Sequence, residues 1–300
     1  MGRADLLAAK QALGWSISVC LPARDEAATV GAIVTEVRDR LAASPNGAAG
    51  LVDEILVIDD DSTDGTVAAA RAAGARVVEQ AEILPEAGPG SGKGNVLWKS
   101  LHACRGDLVC WLDADLRNFR AESVEQLLAP LLTDTDTLLV KASYTRSFEG
   151  APTGGGRVTE LVARPLLSLL FPKLADIVQP LGGEYAARRD ALEVLPFVEG
   201  WGVELGLLVD LVERFGRDAV AQVDLGAREH RNRPLDELAP QSLAIIATAL
   251  RRAGLMQLDG PTLELVRADL DGNVDAELVE IRERPPIATI PAYVAAHHPS

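Results

Sequence analysis

Cysteine is scarce in this chain, basic charge is in deficit, and long apolar runs are missing. The three cysteines are Cys20, Cys104 and Cys110. Cys20 and Cys110 fall inside predicted strands, so they read as buried thiols and not as a disulfide framework. No Cys/His group has the spacing of a metal site. Lysine and arginine total 29 against 44 aspartate and glutamate, a formal net charge of −15. That balance argues against general nucleic-acid binding, which needs a basic face. It also makes any local basic cluster stand out. No segment reaches the roughly 18 apolar residues that span a bilayer, and the amino-terminal residues carry no apolar run of the signal-peptide kind. A cytoplasmic location and no membrane partner are expected.

Two nucleotide-binding signatures are missing as well. No Gly-x-Gly-x-x-Gly follows the first predicted strand, which weakens a dinucleotide-binding reading. The stretch Gly88 to Gly94 contains Gly92-Lys93, but Gly94 stands where a P-loop places the Ser or Thr that binds Mg²⁺. There is no internal repeat, and no linker long enough to separate two independent domains.

What the 300 residues do contain is ample core material, 48% apolar with 24% charged. The first half alternates strand and helix patterns. Ile17–Leu21 reads as a strand, and Val30, Ile33, Val34, Val37 and Leu41 mark one face of a helix. Glu54–Ile58 and Ala75–Val78 read as strands around an Ala-rich helix, Thr66–Ala73, stopped by Gly74. A Gly/Pro-rich loop covers 85–94, a helix Val96–Cys104, and a buried strand Leu108–Leu112. This alternation implies a mostly parallel sheet with right-handed crossovers. The second half is less regular. Strands are expected at Thr137–Ala142 and Ala219–Asp224. Helices are expected at Val158–Leu170 with a kink or a break at Pro165, at Glu204–Phe215 and at Leu243–Leu250, and an extended tail over 285–300.

The most informative motif is Asp113-Ala114-Asp115, directly after an apolar strand. It places two hard oxygen ligands at the carboxyl edge of the sheet, where open α/β sheets bind ligands. Mg²⁺ is commonly held by one or two carboxylates together with substrate phosphates. Three more polar turns occupy corresponding positions: Pro22-Ala23-Arg24-Asp25-Glu26, the Asp59-Asp60-Asp61 turn, and Ser91-Gly92-Lys93-Gly94. Each has a plain structural reading as a cap, an Asx-turn or a loop. Their joint placement points to a single site in which carboxylates meet a base or ribose and Lys93 meets a phosphate.

The second half adds anion-binding features. Gly154-Gly155-Gly156-Arg157-Val158-Thr159 is a glycine-rich turn entering a helix, a place for a small anion. Arg228-Glu229-His230-Arg231-Asn232-Arg233 is the densest basic cluster in an acidic chain. Arginine recognises phosphate and carboxylate through its planar fork, and His230 is a candidate metal ligand. Glu204 sits at the start of a helix, where it is either a first-turn acid or a site carboxylate, and Trp201 either lines a sugar pocket or packs.

On these residues the chain resembles the retaining glucosyl-3-phosphoglycerate synthases of actinobacteria, from about Ser16 to Pro286. Residues 154–167 and 230–238 carry the most specific part of that resemblance. It implies a GT-A glycosyltransferase fold, an α/β architecture with a mostly parallel Rossmann-like sheet flanked by helices. Residues 1–140 would form the nucleotide-sugar-binding half and 141–300 the acceptor-binding half and carboxy-terminal tail, in one continuous unit. It implies transfer of glucose from UDP-glucose to the 2-hydroxyl of 3-phospho-D-glycerate by a homodimer that uses Mg²⁺ or Mn²⁺.

Carried onto this chain, the resemblance gives Pro22, Ala23, Asp25, Glu26, Asp59, Asp60, Asp61, Gly92, Lys93, Asp113 and Ala114 to the donor. Asp115 and His230 would hold the metal, and Gly156, Arg157, Thr159, Arg228 and Asn232 the acceptor, with Glu204 and Asp113 at the reacting sugar. One departure is the Asp59-Asp60-Asp61 turn, where the mycobacterial pattern is Asp-Ser-Gly. Related enzymes use GDP-mannose, so mannosyl-3-phosphoglycerate synthesis is the alternative reaction. A polyprenyl-phosphate transferase lacks support for want of an apolar anchor. A non-catalytic nucleotide-sugar-binding protein is disfavoured by the presence of Asp115, His230 and Arg157.

Overall fold

A computed structural model describes residues 2–43, 49–148, 151–154, 156–228 and 234–298. Helix α1 (Arg3–Leu13) precedes the alternating half: strand β1 (Ile17–Ala23), α2 (Val30–Leu41), β2 (Glu54–Asp59), α3 (Thr66–Ala73), β3 (Arg76–Glu79), α4 (Gly92–Ala103) and β4 (Leu108–Trp111). These strands lie in the order β3-β2-β1-β4 and are all parallel. The expected apolar face of α2 is buried at all five positions. Helix α3 stops at Gly74, whose φ of 100° suits a residue without a Cβ.

Beyond β4 the sheet changes character. Helix α5 (Glu122–Thr133) leads to β5 (Leu139–Phe148) and the short β6 (Ala151–Gly154). A later strand, β7 (Tyr185–Arg188), returns to insert antiparallel between β4 and β5. Strand β9 (Val220–Arg228) then pairs parallel with β5. The central sheet thus remains mostly parallel, and it contains strands from before and after residue 140.

The helix expected over Val158–Leu170 is present as continuous helical turns, with a change of winding ahead of Pro165. A π-turn over Thr159–Ala163 leads into α6 (Arg164–Leu170). Pro165 lies in the first turn of α6, directly after the π-segment. After β7 come α7 (Arg189–Leu192), β8 (Phe197–Val198) and α8 (Val203–Phe215). Helix α9 (Leu235–Arg252) is longer than the predicted Leu243–Leu250 and runs through Pro240. A hairpin of β10 (Thr262–Ala268) and β11 (Val274–Glu280) follows, then β12 (Glu283–Arg284), paired with β8. The tail is not extended: it ends in α10 (Pro291–His297), docked through the buried Tyr293, whose hydroxyl donates to Glu193 Oε2 at 2.7 Å.

Side chains alternate across the sheet and build two cores. Cys20, Leu56, Ile58, Val109 and Trp111 join Trp98, Phe197 and α8 on one face. Val19, Leu21, Val57, Leu108 and Cys110 join α2 and α5 on the other. Both tryptophans satisfy their indole N–H, Trp111 on Ser100 Oγ at 2.9 Å and Trp98 on the Pro285 carbonyl at 2.8 Å. The carboxyl ends of β1, β2 and β4 therefore sit on a rigid platform.

Candidate active site

The loops after β1 and β2 are sewn together by side chains acting on backbone. Asp25 takes a φ of 56°, a conformation Asp tolerates better than most residues, and accepts from the Thr63 N–H at 2.8 Å. In return the Asp25 N–H donates to Ser62 Oγ at 3.0 Å, and the Glu26 N–H to Thr66 Oγ1 at 2.8 Å. Thr29, at the start of α2, donates its hydroxyl to the Ala114 carbonyl at 2.6 Å. That bond ties the first loop to the Asp113-Ala114-Asp115 turn.

These loops form one wall of a cleft of about 670 Å³. Pro22, Ala23, Asp25 and Glu26 line it from β1, Asp60 from β2, Gly92 and Lys93 from α4, and all three residues of the Asp-Ala-Asp turn from β4. The same cleft is lined by Gly156, Arg157 and Thr159, by Glu204 from α8 and by Trp201 just before it. Gly156 has a φ of 75°, so the turn into the π-segment depends on glycine there.

The floor is an ion triad, with Glu204 buried and Lys93 and Asp113 partly exposed to the cleft. Lys93 Nζ stands 2.7 Å from Asp113 Oδ1 and 3.0 Å from Glu204 Oε1. Burial pushes the Lys93 ammonium down, but the two carboxylates outweigh it and hold its pKa well above the usual lysine value. Burial raises Asp60, assisted by its neighbours Asp61 and Asp59 and opposed by Arg24, whose guanidinium lies 3.8 Å away. Gly92, with a φ of 74°, lets α4 begin in contact with Gly200: a Cβ there would come within 2.9 Å of the Gly200 Cα.

Three expected residues stand elsewhere. Asp59 is buried beneath the cleft, where its Oδ2 accepts from the Ser62 N–H at 3.1 Å and Oδ1 is sealed from solvent. Asp61 is exposed outside it. Arg228 does not join the acceptor side, because its guanidinium is buried and gripped by Glu184, with further bonds to the Leu225 carbonyl and Ser123 Oγ. His230 and Asn232 lie outside the described residues, as does Gly155. The remaining donor set suits a hard divalent cation, since Asp115 brings a carboxylate to the cleft beside a carboxylate, Asp113, that already serves Lys93. Among the described residues no cluster of three or more His, Cys, Asp or Glu could hold a metal by itself.

Sequence reading missed Gly183, Tyr144 and Leu181, which also line the cleft, and Lys141 and Tyr185 just behind it. Gly183 is the closest of these: a Cβ there would lie 2.2 Å from both Asp113 Oδ1 and Lys93 Nζ. The Gly182-Gly183 pair was the available signal, since adjacent glycines ahead of a strand mark close backbone approach.

A sheet edge that gathers carboxylates and a lysine, sharing one cleft with an arginine-bearing glycine turn, suits a transferase of activated sugars. The family model described as Glycosyl transferase family 2 matches residues 18–194. Within that class the chain belongs to the glucosyl-3-phosphoglycerate synthases. It is 48% identical to the Mycolicibacterium smegmatis enzyme of that name over 292 residues, 96% of this chain and 93% of that one. The Petrotoga mobilis enzyme of the same name is 41% identical, with 96% and 91% covered. The crystal structure of the Mycobacterium tuberculosis synthase with Mn²⁺, UDP and glucosyl-3-phosphoglycerate superposes with a TM-score of 0.85 at 45% identity, covering 97% of this chain and 96% of that one.

Proposed function

We propose that this protein transfers glucose from UDP-glucose to the 2-hydroxyl of 3-phospho-D-glycerate with retention at the anomeric carbon. The observation that carries the reading is one continuous cleft joining the Lys93, Asp113 and Asp115 edge to Gly156, Arg157 and Thr159. In the tuberculosis relative, crystal structures hold Mn²⁺ with UDP-glucose and phosphoglyceric acid, and Mg²⁺ with UDP.

In this reading Pro22, Ala23, Asp25, Glu26 and Asp60 take the nucleoside, while Gly92 and Lys93 lie toward the diphosphate. Asp115 and His230 would hold Mg²⁺ or Mn²⁺. When bound, that ion supplies positive charge against the departing diphosphate. Arg157, with Thr159 and the Gly156 backbone, holds the phosphoglycerate, and Asn232 belongs to the same subsite. Glu204 is already engaged by Lys93, which suits it to orienting the hydroxyls of the glucose and acceptor. The bond from the anomeric carbon to the diphosphate breaks as the bond to the acceptor oxygen forms on the same face. The acceptor's proton passes to the leaving phosphate oxygen.

The reading extends to a cytoplasmic homodimer. Cys20, Cys104 and Cys110 are all free, in keeping with a reducing compartment. No helix among the described residues is long and apolar enough to cross a membrane. The hairpin exposes Val266, Leu270, Val274 and Leu278, apolar area available to a second copy.

Incubation with 3-phosphoglycerate and either UDP-glucose or GDP-mannose, with and without Mg²⁺, tests the reaction by mass spectrometry of the product. Glucosyl-3-phosphoglycerate and UDP should form only with UDP-glucose and metal. A mannosyl product would reassign the donor, and no transfer from either would sink the reading.

A further inference from the structure

Lys141 has no part in the reaction as derived above, yet its position is an expensive one. It lies on β5 in register with Tyr185 of β7, and it is buried. Its ammonium donates to the Gly182 carbonyl and sits 4.3 Å from the centroid of the Tyr185 ring. A cation in a sheet interior loses its hydration, and an apolar side chain of the same length would fill the space without that cost. The groups that face Lys141 are Glu204 on α8, Lys93 on α4, Asp113 after β4 and Tyr185 on β7. Strand β9, on its other side, places the neutral Gln222 opposite it. Burial brings the Lys141 ammonium down to about 8, with Glu204 and Asp113 acting against the fall and Lys93 adding to it.

The carbonyl that Lys141 holds belongs to a strip in the cleft. Leu181 and Gly183 line it, and Gly183 has no room for a Cβ against Asp113 and Lys93. Lys141 therefore grips this strip from the core side while the ion pair abuts it from the cleft side. It also gives the floor a second cation to set against its two carboxylates.

We propose that Lys141 is a positioning residue for sugar transfer: it fixes the Leu181–Gly183 strip against the Lys93–Asp113 pair and balances the charge of Asp113 and Glu204. The proposal rests on the transferase reading above. Deprotonating Lys141 leaves an N–H for the Gly182 carbonyl but removes the charge that balances Asp113 and Glu204, so turnover is expected to decline as pH rises past about 8.

The test compares Lys141→Met with the wild type, both full-length and supplied with Mg²⁺, UDP-glucose and 3-phosphoglycerate. The melting temperature of the variant should equal or exceed that of the wild type, and calorimetric UDP affinity should stay within about twofold. Its kcat should fall about ten- to hundredfold, the usual loss on removing a charged hydrogen-bond donor. Wild-type kcat should decline above about pH 8, and that limb should be missing from the variant. Lys141→Arg, which keeps the charge, should recover part of kcat and hold it past that pH. A folded Lys141→Met enzyme with wild-type kcat, or one with the same alkaline limb, would overturn the proposal. Should Lys141→Met fail to fold, Lys141→Gln is put through the same comparison with the same expected outcome. Full turnover by a variant sinks this proposal alone, whereas a wild type that transfers no sugar sinks the transferase reading and this proposal with it.

Discussion

Arg228 Nε donates to Glu184 Oε1 at 2.9 Å, with both side chains almost completely removed from solvent. The arginine is the last residue of β9, immediately before the 229–233 segment, and Glu184 directly follows the Gly183 of the cleft floor. The pair ties the end of β9 to the residue that follows Gly183. Arg228→Ala would leave the Glu184 carboxylate buried without its cation, at a cost of about 3–5 kcal/mol. Chemical denaturation should show that loss. The double variant Arg228→Met/Glu184→Leu should recover much of it, because no lone charge then remains. Equal losses in the single and double variants would return Arg228 to a role outside this pair.

Gly183 offers a sharper probe of the floor. Its φ is not among the positive ones, so alanine suits the backbone. What alanine lacks is room, since its Cβ would fall 2.2 Å from Asp113 Oδ1 and from Lys93 Nζ. One of those groups must move, and a shift of about 1 Å at reacting groups costs on the order of a hundredfold in rate. Gly183→Ala should therefore lose about that factor in kcat with a far-ultraviolet spectrum like the wild type's. Gly182→Ala meets nothing closer than the Tyr144 hydroxyl at 3.1 Å and should lose much less. Parity between the two variants in steady-state assays would contradict the assignment.

The division between legible and hidden residues follows from what periodicity can carry. The alternating half was readable because β1, β2 and β4 are buried apolar runs and α2 buries one apolar face, Val30, Ile33, Val34, Val37 and Leu41. Motifs at the ends of those strands inherit their placement, so the convergence of Asp25, Lys93, Asp113 and Asp115 could be expected. Strand β7 was not readable: Tyr185–Arg188 is four residues long and owes its place to pairing with β4 and β5. Missing β7 hid Gly183, Tyr185 and the environment of Lys141. Arg228 looked like a ligand contact because a basic cluster in an acidic chain gives no sign that Glu184 waits opposite in the fold. The tail, with its four prolines, read as extended. In the structure Pro291 instead starts α10, and Tyr293 supplies the apolar anchor that local sequence did not reveal.

Arg157 should separate the two substrates. It lines the cleft beside Gly156 and Thr159, in the turn proposed for the acceptor. A guanidinium on a phosphate makes charge-assisted bonds worth roughly 1.5–3 kcal/mol. Arg157→Ala should therefore raise the KM for 3-phosphoglycerate about ten- to hundredfold. Calorimetric binding of UDP should change by less than about threefold. Equal weakening of both would move Arg157 out of the acceptor subsite.

His297 makes the docking of α10 sensitive to acid. Its Nδ1 lies 3.1 Å from Arg189 Nη1 and its Nε2 lies 2.9 Å from the His102 carbonyl. Both contacts are met by one neutral tautomer, with Nε2 donating and Nδ1 accepting. The ring also stacks on Tyr293 with centroids 4.6 Å apart. Burial lowers the pKa of His297 below its ordinary 6.5, and although its bond to the His102 carbonyl opposes this, Arg189 and the neighbouring histidines add to the fall. Because the folded value lies below the unfolded one, the unfolded chain binds more protons as pH drops. The linked stability is complete above about pH 6.5 and is lost as pH falls through the folded value. Melting curves between pH 5 and 8 should show this as a fall in melting temperature on the acid side. His297→Ala should melt lower than the wild type at pH 7.5, with the gap narrowing toward pH 5 as the wild type loses the same contacts. A gap that stays constant or widens on acidification would show that His297 does not carry the pH dependence of this end of the protein.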